Sequence, residues 1–123
     1  MILLDANYIL RYLIKEDEQM HAQARETIEH EACLVAGEVL AEVVYVLHGY
    51  YQVSRVDIAS ALALFLERDT LQMHEPKMLL LEALQIFAST KLDYVDCLLC
   101  ALGSKYEIKS FDKGLNRCLA SRP

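Results

Sequence analysis

Four acidic residues occupy positions in which their carboxylates could together bind divalent cations. Asp5 and Asp112 each follow a short apolar segment that is typical of a strand, whereas Glu42 and Asp96 interrupt apolar segments that are typical of helices. Leaving an ionised carboxylate in a buried helix costs on the order of several kcal/mol unless the group is paired or coordinated. If the four carboxylates converge, their repulsion requires cations such as Mg²⁺ or Mn²⁺, which prefer carboxylate oxygens. Such a site suits phosphoryl transfer.

The elements that must position these acids alternate between strands and helices. Met1–Leu4 is an uninterrupted apolar run, which predicts a short central strand that is buried on both faces of a parallel sheet. Because ligands bind at the carboxyl ends of strands in open α/β sheets, Asp5 is expected at that edge. A simpler interpretation is that Asp5 caps the next helix. Further strands are predicted at residues 32–36, 71–75 and 108–111.

Two helices are predicted to contain the other acids. Residues 39–47 are apolar on all sides except at Glu42, which predicts a helix that is largely buried in the core. The alternative for Glu42 is a position along a solvent seam, and Glu38, one turn earlier, is interpreted as a first-turn acid without a site role. Asp96 lies in the apolar segment 92–102 in the same way, and Asp93 suits the N-cap of that helix.

Composition limits the classes of protein to consider. The chain has 123 residues, 54% of them hydrophobic, which predicts one domain over residues 1–123. A formal net charge of −6 argues against binding nucleic acid through a broad cationic surface. No apolar run is long enough to cross a bilayer, and the N-terminus lacks the pattern of a signal peptide, so we expect a cytoplasmic protein that does not interact with membranes.

The cysteines do not form a recognisable metal site. Cys97 and Cys100 form a CxxC pair within an apolar helical segment, but neither a second pair nor a nearby histidine completes a zinc set. We expect both to be buried free thiols.

Four segments of the chain resemble the four motifs of PIN-domain ribonucleases. They are Leu4–Asn7, Leu40–Leu47, Asp93–Asp96 and Ser110–Asp112, and they occur in matching order over nearly the whole chain. Within that family the segments most resemble VapC-like toxins of bacterial and archaeal toxin–antitoxin pairs. Each motif is short, so the resemblance depends on finding all four in sequence.

The resemblance implies a three-layer α/β/α fold with a central, mainly parallel sheet and an endoribonuclease that requires one or two Mg²⁺ or Mn²⁺ ions. The acids that match the catalytic metal site are Asp5, Glu42, Asp96 and Asp112. The matching supporting residues are Asn7, Asp93 and Ser110, of which Asp93 could also be a ligand. Many members have Thr or Ser where this chain has Ala6, so a supporting hydroxyl is missing here.

The resemblance also implies partners. A cognate antitoxin is expected to cover the acidic groove, for example with an arginine. Residues 78–87 contain more apolar surface than one buried helix face needs, which predicts a homodimer; burial of this helix in the core explains the pattern equally well.

Two other classes of protein are alternatives to a ribonuclease. A haloacid-dehalogenase-like phosphatase also has an aspartate after its first strand, but it needs a second aspartate two residues later, where this chain has Asn7. A PIN-fold binding module with weak catalysis is compatible with the acidic net charge and with Ala6.

Overall fold

Residues 1–122, the part of the chain that the computed structural model describes, form three short strands and seven helices, and two or three helices follow each strand. The strands are β1 (Ile2–Leu3), β2 (Cys33–Val35) and β3 (Leu71–Met73). The helices are α1 (Ala6–Leu13), α2 (Glu18–His30), α3 (Gly37–Gly49), α4 (Arg55–Leu66), α5 (Lys77–Ser89), α6 (Tyr94–Leu102) and α7 (Lys113–Ala120). This pattern confirms the predicted α/β fold.

The three strands form one parallel sheet in the order β1-β2-β3. Ile2 pairs with Cys33, which in turn pairs with Leu71 on the other side. The N–H of Leu4 extends the ladder by donating to the carbonyl of Leu34 over 3.1 Å. Since all strands run in one direction, their carboxyl ends share an edge of the sheet. The chain leaves this edge after β1 to form α1 and after β2 to form α3.

The prediction that the first strand is central and buried on both faces is wrong. Among the described residues β1 pairs only with β2, so it lies at the edge of the sheet. Leu3 is 67% exposed and Met1 is 70% exposed, whereas Leu4 is buried. The apolar run therefore does not reflect burial on both faces.

The strand predicted at residues 108–111 is also absent, because this segment has irregular structure. Its polar groups bond to side chains: Ser110 Oγ accepts from the N–H of Asp112 over 2.9 Å, and the Ser110 carbonyl accepts from Asn116 Nδ2 over 2.8 Å. Such local bonds compete with a strand ladder. The ring of Phe111 consequently remains fully exposed.

The helices surround a continuous apolar core, to which α3 contributes one face. Leu40, Val43 and Leu47 are buried on that face, whereas Tyr45 is 78% exposed and Glu42 is exposed. The prediction of a helix largely buried in the core therefore holds for one face of α3 only, and the Glu42 carboxylate remains in water, as the alternative of a solvent seam predicts. No helix among residues 1–122 has the length and apolarity needed to span a membrane.

A disulfide joins α6 to α7. Cys100 is bonded to Cys118 with a Cα–Cα distance of 6.2 Å, which lies in the usual range for a disulfide. The expectation of a free thiol is confirmed for Cys97 and wrong for Cys100. The partner of Cys100 is 18 residues away along the chain rather than in the CxxC pair.

The disulfide generates a prediction for stability. In the chain-entropy account, closing a loop of this length stabilises a fold by about 3 kcal/mol. We expect Cys118→Ser to lower the free energy of unfolding by about that amount, measured by urea denaturation of the oxidised chains. Reductant should lower the stability of the native chain to the level of the variant and leave the variant unchanged. Equal stability of the oxidised native and variant chains would contradict the prediction.

Candidate functional site

The four predicted metal-site acids lie on four helices that pack in succession. Helix α1 packs on α3, α3 on α6, and α6 on α7. Asp5 and Asp112 are the N-caps of α1 and α7, Asp96 is in the first turn of α6, and Glu42 is in the second turn of α3. Three of the four carboxylates therefore lie at a helix N-terminus, where the backbone carries a partial positive charge.

Asp5 follows the end of the first strand and begins the first helix. Its Oδ1 accepts a hydrogen bond from the N–H of Tyr8 over 2.8 Å, so the capping interpretation is correct. Capping uses one carboxylate oxygen and holds the group in place at the carboxyl edge of the sheet. The other oxygen accepts no hydrogen bond from the described residues.

Asp112 is held in the same way by its own turn. Its Oδ2 accepts from the N–H of Leu115 over 2.8 Å, while its backbone N–H donates to Ser110 Oγ. Ser110, predicted as a supporting residue, thus contacts the backbone of Asp112 directly. This turn replaces the predicted strand as the element that positions Asp112.

Asp93 and Asp96 lie at the start of α6, without protein partners for their carboxylates among residues 1–122. Asp93 is the N-cap, as predicted, although its side chain makes no capping hydrogen bond. Asp96 is half-buried, and burial raises its pKa above the ordinary value of 3.8. The negative charges of Asp112 and Asp93 raise the pKa of Asp96 further, so these three carboxylates interact.

Glu42 and Asn7 are both exposed, and their side chains form no hydrogen bond with the described residues. The structure places the negative charges of Asp93 and Asp112 near Asp96. The common site of four acids stays a prediction.

The chemistry of the acids fits a hard divalent cation, although their spacing does not form a compact cage. Between residues 1 and 122, no three or more His, Cys, Asp or Glu side chains are grouped closely enough to hold a metal ion. Mg²⁺ is usually bound by one or two carboxylates, several waters and the phosphates of a substrate. Asp96 and Asp112, whose charges interact, have no basic partner within this range.

A pocket of about 560 Å³ adjoins these acids where α3 and α6 face each other. We call it the α3–α6 pocket; its lining includes Ala41, Val44, Tyr45, His48, Gly49, Arg55, Phe87, Lys91, Asp93, Tyr94, Val95 and Asp96. Sequence patterns do not single out Tyr45 or His48, because they look like further members of an apolar helix. The one feature of the sequence that points to them is their spacing from Glu42, which Tyr45 follows by three residues and His48 by six.

The raised pKa of Asp96 leads to a pH prediction. The folded chain binds this proton more tightly than the unfolded chain, so the resulting stabilisation is fully present below pH 3.8 and is lost as pH rises through the folded-state pKa. We expect Asp96→Asn to gain stability relative to the native chain as pH rises through this window. Urea denaturation at a series of pH values, without divalent cations, measures the difference.

A second measurement tests the cause of this shift. In carboxyl NMR titrations, Asp112→Asn should lower the Asp96 midpoint, because it removes a like charge while asparagine still caps α7. Glu26→Gln, at an exposed position of α2 that lines a different pocket, should leave the midpoint unchanged. A native midpoint at or below 3.8 would count against the raised pKa.

Comparison with known proteins identifies a family. The family model described as PIN domain matches residues 2–118, which include every predicted site residue. No curated protein and no solved structure matches the chain. PIN domains are generally nucleases, so the match indicates a nuclease-type module. With a parallel sheet and acids at the start of successive helices, the chain belongs to the PIN domain family.

Proposed function

We propose that this chain is a Mg²⁺- or Mn²⁺-dependent endoribonuclease and the toxin of a VapBC-like toxin–antitoxin pair. The observation that supports the proposal most strongly is the family match over residues 2–118. The four motif segments lie within the matched range and in the order expected for VapC-like toxins.

Asp96 and Asp112 are the residues that would hold the cation. Their charges interact, and each has carboxylate oxygens that no basic side chain within residues 1–122 neutralises. A bound divalent cation supplies a Lewis acid for the scissile phosphate and lowers the pKa of water. Asp5 and Glu42 are the other two proposed ligands of the cation, and Asp93 is proposed as a supporting residue that could also be a ligand.

The predicted supporting residues would orient the acids rather than bind the cation. Ser110 holds the turn that orients Asp112, since it accepts the backbone N–H of that residue. Asn7, in the first turn of α1, adds a neutral polar side chain two residues after Asp5. Ala6 is buried and offers no hydroxyl, so Asp5 is oriented by its capping bond to Tyr8 instead.

Two protein partners are part of the proposal. A cognate antitoxin would supply positive charge to the acidic surface of a chain with net charge −6. A second copy would cover the groove between α4 and α5, where Val56, Leu64 and Met78 are 58%, 74% and 81% exposed. Exposed apolar groups that share a groove are typical of protein contacts.

The alternative function is a PIN-fold binding module with weak catalysis. The lack of a compact group of three metal-binding side chains within residues 1–122 favours this alternative. A binding module would retain the pocket and the partners but would not need a divalent cation. Cation binding and RNA cleavage therefore separate the two functions.

We expect Asp96→Asn and Asp5→Asn each to reduce Mn²⁺-dependent cleavage of single-stranded RNA by at least about a hundredfold, because each removes a carboxylate that would hold the cation, and the cation would stabilise the negative charge of the transition state. Asparagine caps helices as well as aspartate does, so Asp5→Asn should keep the native fold. Cleavage is measured on labelled RNA, and calorimetry of Mn²⁺ binding is run on the same chains.

Glu38→Gln is the matched control, because Glu38 is an exposed acid on α3, one turn before Glu42, without a predicted role. Its cleavage rate should equal that of the native chain. If the native chain binds no Mn²⁺, or if both aspartate variants cleave at the native rate, the nuclease proposal fails and the binding module takes its place.

A further inference from the structure

The α3–α6 pocket shares Asp96 with the proposed cation site and extends beyond it. The rest of the lining comes from α3, from Arg55 and from residues between Phe87 and Val95. A substrate strand that passes over Asp96 would therefore place a neighbouring nucleotide at this pocket. The lining combines aromatic, cationic and apolar groups.

Tyr45 offers an aromatic face at the pocket. Its side chain is 78% exposed although the rest of α3 is strongly apolar, and it stacks on no other ring among residues 1–122. An exposed aromatic ring next to a charged groove is a typical platform for an unpaired base, because every base has a π face.

The pocket also contains cationic groups without carboxylate partners. Arg55 lies over the ring of Phe87 at 3.8 Å and donates from Nε to the Phe87 carbonyl and from a terminal nitrogen to the Leu92 carbonyl. Within residues 1–122 neither Arg55 nor the exposed Lys91 forms a salt bridge. Arg55 is thus fixed in the wall, and Lys91 is free to contact a phosphate.

A buried hydroxyl adds an independent observation. Tyr94 lines the pocket and is only 5% exposed, yet its hydroxyl has no hydrogen-bond partner in the described part of the chain. Buried polar groups are normally paired. Tyr94 is therefore a pocket-lining residue whose hydroxyl is unpaired in the described part of the chain.

We propose that the α3–α6 pocket binds one unpaired nucleotide of the RNA substrate, next to the scissile phosphate. The base stacks on Tyr45, and Lys91 contacts the adjoining phosphate above the fixed charge of Arg55. The proposal rests on the proposed function, because it takes the strand over Asp96 to be RNA. It assigns substrate binding to Tyr45 and Lys91, neither of which is an acid of the proposed cation site.

The test measures binding of a fluorescent single-stranded oligoribonucleotide to the full chain by anisotropy, in EDTA so that no cleavage occurs. We expect Tyr45→Ala to raise Kd by roughly tenfold, because one stacked base is lost. Tyr45→Phe retains the ring and should bind with native affinity. Tyr50→Ala removes an equally exposed ring outside the pocket lining and should leave Kd unchanged.

The phosphate contact is tested by salt dependence. For single strands, each neutralised phosphate contributes about 0.7 to the slope of log affinity against log salt concentration. Lys91→Gln should reduce the slope by about that amount. Lys105→Gln, just beyond the opposite end of α6, should leave it unchanged. Native affinity in Tyr45→Ala, equal loss in Tyr50→Ala, or an unchanged slope in Lys91→Gln would each overturn the pocket assignment.

The experiments distinguish failure of the pocket assignment from failure of the nuclease proposal. If Tyr45→Ala weakens binding but the native chain does not cleave RNA with Mn²⁺, the pocket assignment stands and the nuclease proposal fails. If Asp96 is required for cleavage but Tyr45→Ala binds RNA with native affinity, the nuclease proposal stands and the pocket assignment fails. Sedimentation of the native chain and of Tyr45→Ala completes the test. If the native chain is a dimer and Tyr45→Ala is not, the pocket is a contact between two copies, and the assignment is overturned.

Discussion

The mutual repulsion of carboxylates at the start of α6 and α7 is the constraint on which the site depends. Asp96 is half-buried and has the charges of Asp93 and Asp112 nearby, so its pKa is raised. Packing and a covalent bond elsewhere on α6 and α7 offset the repulsion between these carboxylates. The opposite side of α6 is buried in the core, and the bond from Cys100 to Cys118 holds α7 against it. Packing thus keeps together charges that would otherwise separate.

Helix capping explains how the fold positions acids at its surface without burying them. Asp5 and Asp112 each give one oxygen to a backbone N–H and keep the other available. A capping carboxylate is oriented by its own helix, so it needs no dedicated pocket. Capping and cation binding are therefore compatible roles of one side chain. An asparagine at either position keeps the capping hydrogen bond and removes the negative charge.

Local features were predictable from the sequence, whereas arrangements between distant segments were not. The strands near residues 33 and 71 and the cap at Asp93 follow from apolar runs and residue preferences nearby. Glu42 is exposed because α3 buries only one face, and an apolar pattern on all sides does not reveal which one. The pairing of Cys100 with Cys118 depends on how α7 returns to α6, which no short pattern specifies. The grouping of all four acids stays a prediction, because their positions in the sequence specify the helices that hold them and not the distances between the carboxylates.

The disulfide also changes what a cut in the backbone would do. The irregular segment between α6 and α7 lies inside the covalent loop that Cys100 and Cys118 close, and it exposes Lys105 and Lys109. Exposed loops are preferred sites of proteolysis. A protease that cuts after either lysine leaves α7 attached through sulfur, and Asp112 stays beside α6. Reduction after such a cut would release the C-terminal fragment and remove Asp112, so cleavage and reduction together would dismantle a site that survives either one alone.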